Sequence, residues 1–134
     1  MTSRRGTLVE DGARELLQVH GYNVRVIPPG FNRQYPPVHL VAAMPSGEMR
    51  FIRIWKLSRQ PSTIETIERK CSGTVSLFRK HQSKQSGKCS VHYEIWIYTL
   101  SYGFRCFEVL MDSIREIPKF SPTHQSSAWP GGVA

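Results

Sequence analysis

Apolar residues recur at helical spacing from about Thr7 to His20, where Leu8, Val9, Ala13, Leu16 and Leu17 form one side of a helix. Gly21 stands where a helix should stop, and Gly12 costs the interior roughly 1 kcal/mol. The period then shortens to two. Val24 and Val26 alternate with Asn23 and Arg25 in the strand predicted over Tyr22 to Ile27. Four prolines and a glycine exclude a regular element from Pro28 to Pro37. A loop this long in a compact domain is often functional, and we expect it to be mobile until a ligand or partner orders it. Val38 to Met44 is almost wholly apolar, as a strand buried on both faces should be. A short turn, Pro45 to Glu48, joins it to a third strand, Met49 to Leu57, which predicts an antiparallel hairpin.

The helical period returns after Ser62, the expected N-cap, with Glu65 three residues on as in a capping box. Ile64, Ile67, Cys71, Val75 and Phe78 mark one face of this second helix to about His81, leaving Arg69, Lys70, Arg79 and Lys80 to water. Gln82 to Lys88 is a polar loop. Two more strands follow, Val91 to Leu100 and Gly103 to Leu110, then a short helix over Asp112 to Glu116. From Pro118 the chain is rich in Pro, Ser and Gly and reads as a flexible tail. The expected architecture is one α/β domain over 1–117, with a tail over 118–134. Its mixed central sheet is flanked by helices in the order α-β-β-β-α-β-β.

The charge changes the picture more than the length does. Among 134 residues, 18 are Lys or Arg and 10 are Asp or Glu, a formal net charge of +8. Such an excess attracts polyanions, and DNA, branched or duplex, is the expected partner. Cys71, Cys89 and Cys106 fit no zinc spacing and read as reduced thiols. The polar start, Met1 to Arg5, does not suit a signal peptide, and no apolar run is long enough to cross a bilayer. We therefore expect a cytoplasmic protein without membrane contact.

No Gly-rich phosphate loop and no nucleophile–base arrangement stands out, and His20, His39, His81, His92 and His124 are scattered. One pattern does carry chemistry. Glu10 lies on the first helix, His39 interrupts the start of an apolar strand, and Lys56 ends the next strand. Glu10 to Tyr22 places a glutamate eleven residues before a glycine and an aromatic. Pro37-Val-His-Leu-Val-Ala42 is similar to a Pro-Asp-Ile-Val-Ala segment, and Phe51-Ile-Arg-Ile-Trp-Lys-Leu-Ser58 to one carrying Glu-x-Lys followed by Thr or Ser. In these stretches the chain resembles the PD-(D/E)XK nuclease superfamily and, within it, the archaeal Holliday junction resolvases, over about Arg5 to Leu110.

The resemblance implies a restriction-endonuclease-like core and a metal site at these positions. Hydrolysing a phosphodiester that way uses a divalent ion to polarise the phosphate and activate water. Mg²⁺ takes hard oxygen ligands, and a lysine offsets developing charge. Here the motif aspartate is His39 and the motif glutamate is Ile54, so only Glu10 and Lys56 carry over. The expectation is a nucleic-acid-associated protein with a degenerate nuclease fold, inactive and without a cofactor. One alternative is a metal-dependent endonuclease using Mg²⁺ or Mn²⁺, with Glu48, Glu65 or Glu68 relocated into the site. A second is a non-catalytic protein-interaction subunit. Arg4, Arg5, Arg33, Arg53, Lys56 and Arg59 with Tyr35 are the expected nucleic-acid contacts, since cations among aromatics suit phosphates and stacked bases. Resolvase-like relatives act as dimers, so a homodimer is expected as possible through Phe104, Phe107 and Val109.

Overall fold

The computed structural model describes residues 3–28, 38–84 and 90–118, with side chains from Leu8 onward. The loop over 29–37 with Arg33 and Tyr35, the side chains of Arg4 and Arg5, and the tail beyond Pro118 lie outside the described residues. The elements are α1 (Ser3–Val19), β1 (Asn23–Val26), β2 (Leu40–Ala43), β3 (Met49–Lys56), α2 (Ile64–Lys70), α3 (Ser72–Ser83), β4 (Val91–Thr99), β5 (Gly103–Val109) and β6 (Ile114–Glu116). Gly21 ends α1 with a positive φ of 95°. The Tyr22 N–H returns to the Leu17 carbonyl and the Gly21 N–H to Gln18, a Schellman closure that favours glycine there.

The strands form one sheet in sequence order. Every neighbouring pair is antiparallel except β3 with β4. A parallel pair needs a crossover, which α2 and α3 supply. The two-residue period sorts the core into two layers. Leu40, Ala42, Ile52, Ile54, Trp96, Phe104 and Cys106 pack with Ala13 and Leu17 of α1. Val41, Phe51, Tyr93, Ile95, Ile97, Phe107 and Val109 pack with Ile67, Cys71, Val75 and Phe78 of α2 and α3.

Four expectations need correction. The second helix is two helices that meet at Cys71, whose φ of −108° and ψ of 26° break the helical run. Its N-cap is Thr63 rather than Ser62, because the Thr63 hydroxyl accepts the Thr66 N–H at 3.2 Å. The segment expected as a short helix is β6, since Ile114 is buried opposite Val109 and Arg115 stands opposite Glu108. The Arg115–Glu108 pair at 2.8 Å gives this edge strand a cross-strand anchor. Finally, Phe104, Phe107 and Val109 are buried in the core and do not offer an assembly surface.

On the α1 side, at the start of β3 and β4, a buried polar network replaces apolar packing. Glu94 is 0% exposed. It accepts from the Arg50 guanidinium and from the Trp96 indole N–H at 2.8 Å. Arg50 also donates to the Tyr22 hydroxyl at 2.7 Å and to Glu48 at 2.8 Å. His92 sits 2.6 Å from Glu108 and 3.6 Å from Glu48. Burial pushes the Glu94 carboxyl up, against the pull of Arg50 and the Trp96 N–H. Removing one partner of a buried ion pair strands the other in low dielectric. Arg50→Met should therefore cost about 3–5 kcal/mol in urea unfolding, and a loss below about 1 kcal/mol would contradict this account of the network.

Candidate functional site

The opposite end of β3 is built differently. Glu10, Ala13 and Leu17 are spaced three and four residues apart, so Glu10 lies on the stripe of α1 that faces the sheet. Ile54 and Lys56, two apart in a strand, share the face of β3 that looks toward α1. His39 just precedes β2. Its N–H bonds the Ile52 carbonyl at 2.9 Å, and its own carbonyl accepts the Ile27 N–H at 2.8 Å. Together Val9, Glu10, His39, Ile54 and Lys56 line a cavity of about 190 Å³. The three residues singled out in the sequence thus meet at one place, together with Ile54.

A hydrogen bond missed by sequence reasoning sets the chemistry of His39. The backbone N–H of Ile54 donates to its Nδ1 at 2.9 Å. A ring nitrogen that accepts must be unprotonated, so the proton of the neutral ring sits on Nε2. Burial is the main cause that lowers the pKa of His39, and the charges of Arg53 and then Lys56 add to it, bringing it to about 4. Burial also pushes the Glu10 carboxyl up, while Lys56 pulls it down and Asp11 raises it. Arg53 is on the other face of β3 and half-buried, but its charge still acts on His39. Lys56 and Arg59 are exposed.

The other acids considered from the sequence are not in the cavity lining. Glu48 is held by Arg50 and Tyr22 at the far end of the sheet. Glu68 stands 3.5 Å from Arg79, and Glu65 is exposed in the first turn of α2. Among the described residues, no group of three His, Cys, Asp or Glu side chains is placed to hold a metal ion. Among them, too, no helix is long and apolar enough to cross a membrane.

No protein-family model matches the chain, and no curated protein does. Among solved structures it is similar to Hjc, a Holliday junction resolvase from the archaeal hyperthermophile Archaeoglobus fulgidus. The identity is 12%, the TM-score 0.51, and the match covers 88% of this chain and 89% of that one. The fold is restriction-endonuclease-like. His39 and Ile54 fall on one cavity wall with Lys56. Gln60 pins the same end of the restriction-endonuclease-like sheet by donating to the Ile97 and Gly103 carbonyls at 3.1 and 3.3 Å.

The His39 geometry has a pH signature. The unfolded ring takes up a proton near pH 6.5 and the folded ring only near about 4. Between those values the unfolded chain binds more protons, so stability falls as pH drops through the window and the loss is complete below about 4. Allowing for partial exposure, the loss is on the order of 1–2 kcal/mol. His39→Asn keeps an acceptor for the Ile54 N–H but cannot titrate. Denaturant unfolding from pH 7 to 4 should lose less stability in this variant than in the parent; equal losses would contradict the assignment.

Proposed function

We propose that the chain uses a nuclease-type fold to associate with DNA, branched or duplex, without cutting it. The observation that carries this reading is the donor set of the cavity. A divalent metal in this fold needs hard oxygen ligands to compensate for lost hydration. The lone pair of His39 Nδ1 is committed to the Ile54 N–H, its other nitrogen carries a proton, and the Ile54 side chain offers no metal ligand. Glu10 remains as a single carboxylate beside Lys56. These residues do not fit a divalent metal. A cationic, donor-bearing wall attracts phosphate instead.

The formal net charge of +8 supports the same partner. Arg53, Lys56 and Arg59 are the contacts proposed from the described residues, with Arg4, Arg5, Arg33 and Tyr35 as further contacts from the sequence. The relocated-acid alternative draws no support from Glu48 or Glu68, which pair with arginines elsewhere.

Gel-shift titrations with a four-way junction and a duplex test the proposal. Binding should be weak, tolerant of sequence and steeply salt-dependent, because phosphate contacts release counterions. Lys56→Ala should make the slope of log affinity against log salt shallower by about 1. No strand should be cleaved in Mg²⁺ or Mn²⁺. Absence of any DNA binding at low salt, or metal-dependent cleavage that Lys56→Ala abolishes, would overturn the proposal.

A further inference from the structure

We infer that the cavity between α1 and β3 is a metal-independent phosphate site, in which the Nε2–H of His39 and the ammonium of Lys56 take the oxygens of one phosphate group and Glu10 competes with it for Lys56. The inference deepens the DNA-association reading and rests on it for the source of the phosphate, but its chemistry is testable alone.

His39 lines the cavity, and with Nδ1 accepting from Ile54, Nε2–H is the remaining polar group of its ring. It is a fixed donor and never an acceptor in this tautomer, which suits a phosphate oxygen and rejects a cation. Its low basicity keeps it in this form at neutral pH. Lys56 adds a positive charge on the same cavity, and Arg53 adds its field from the opposite face of β3. Ile54 contributes a buried apolar wall, so no carboxylate from β3 opposes an incoming anion.

The size of the cavity limits the ligand. About 190 Å³ is smaller than the roughly 300–1,000 Å³ of pockets that enclose a whole small molecule. It suits one phosphate group, either a terminal monoester or a backbone diester, with the rest of the ligand outside. Glu10 decides the sign of the test. Its carboxyl shares the cavity and interacts with Lys56. In a metal site this acid is a ligand, and its loss weakens binding. In a phosphate site it is a rival anion, and its loss strengthens binding.

The experiment uses the full chain in EDTA, with the Ile54 amide and the His39 ring followed by ¹⁵N NMR. Inorganic phosphate, then a 5′-phosphorylated and an unphosphorylated oligonucleotide, are the probes. Saturable shifts at both groups are expected with phosphate. Preference for the phosphorylated oligonucleotide would assign a terminal monoester, and equal response to both would assign the backbone. Glu10→Gln should tighten phosphate binding about threefold to tenfold. His39→Asn, which keeps the bond to Ile54, should weaken it about tenfold. Absence of saturable shifts with phosphate, or weaker binding in Glu10→Gln, would overturn the inference. If gel shifts still show DNA binding in that case, the DNA-association reading stands without it. If phosphate binds with the expected variant pattern but no DNA does, the site stands and the DNA reading fails.

Discussion

Met49 to Lys56 runs parallel to Val91 to Tyr98, with the two strands in register along their length. Parallel strands cannot be joined by a turn, so the chain between them must cross one face of the sheet. The sequence of that segment allows it, because Ile67, Cys71, Val75 and Phe78 supply the apolar stripe that covers Phe51, Tyr93, Ile95 and Ile97. The other face of the same pair is then left to α1. Burial on both sides is what makes β4 so apolar and leaves its few polar residues to find partners inside the protein.

Those polar residues divide the α1 side of the sheet into two contrasting ends. At the start of β3, Arg50 is enclosed by Glu94, Glu48 and Tyr22, so its charge is spent on structure. At the end of β3, Lys56 is exposed and, among the described residues, shares the cavity with one acid, Glu10. One strand face thus carries a neutralised cation and an available one. The distinction matters for function because only the available charge can meet a phosphate without breaking the fold.

Much of this was legible in the chain. Alternation placed β1, an apolar run placed β2, and the Pro45–Glu48 turn made the β2–β3 hairpin unavoidable. The meeting of Glu10, His39, Ile54 and Lys56 followed from helical and strand spacing together with the motif resemblance. What escaped was long-range or cooperative. Arg50 and Glu94 are 44 residues apart and look like ordinary strand polars until β3 and β4 pair. The trace was a glutamate directly before the apolar run Ile95-Trp96-Ile97. The break at Cys71 was announced only by the Ser72–Gly73 pair beside it, because the apolar stripe runs through it without interruption. β6 was hidden because three residues are too few for a period, and its pairing depends on Arg115 meeting Glu108 across the turn. The Ile54 N–H bond to His39 was invisible because one partner is backbone.

That bond separates this site from a metal centre, and it is directly observable. Imidazole ¹⁵N NMR of the full-length protein reports which ring nitrogen of His39 carries the proton and whether either one meets a metal. The account predicts an unprotonated Nδ1, a protonated Nε2 from neutral pH down to about 4, and no specific response to Mg²⁺ at saturating concentration. A Mg²⁺-induced, saturable shift of His39 that requires Glu10, or a ring that titrates at an ordinary histidine pH, would contradict it.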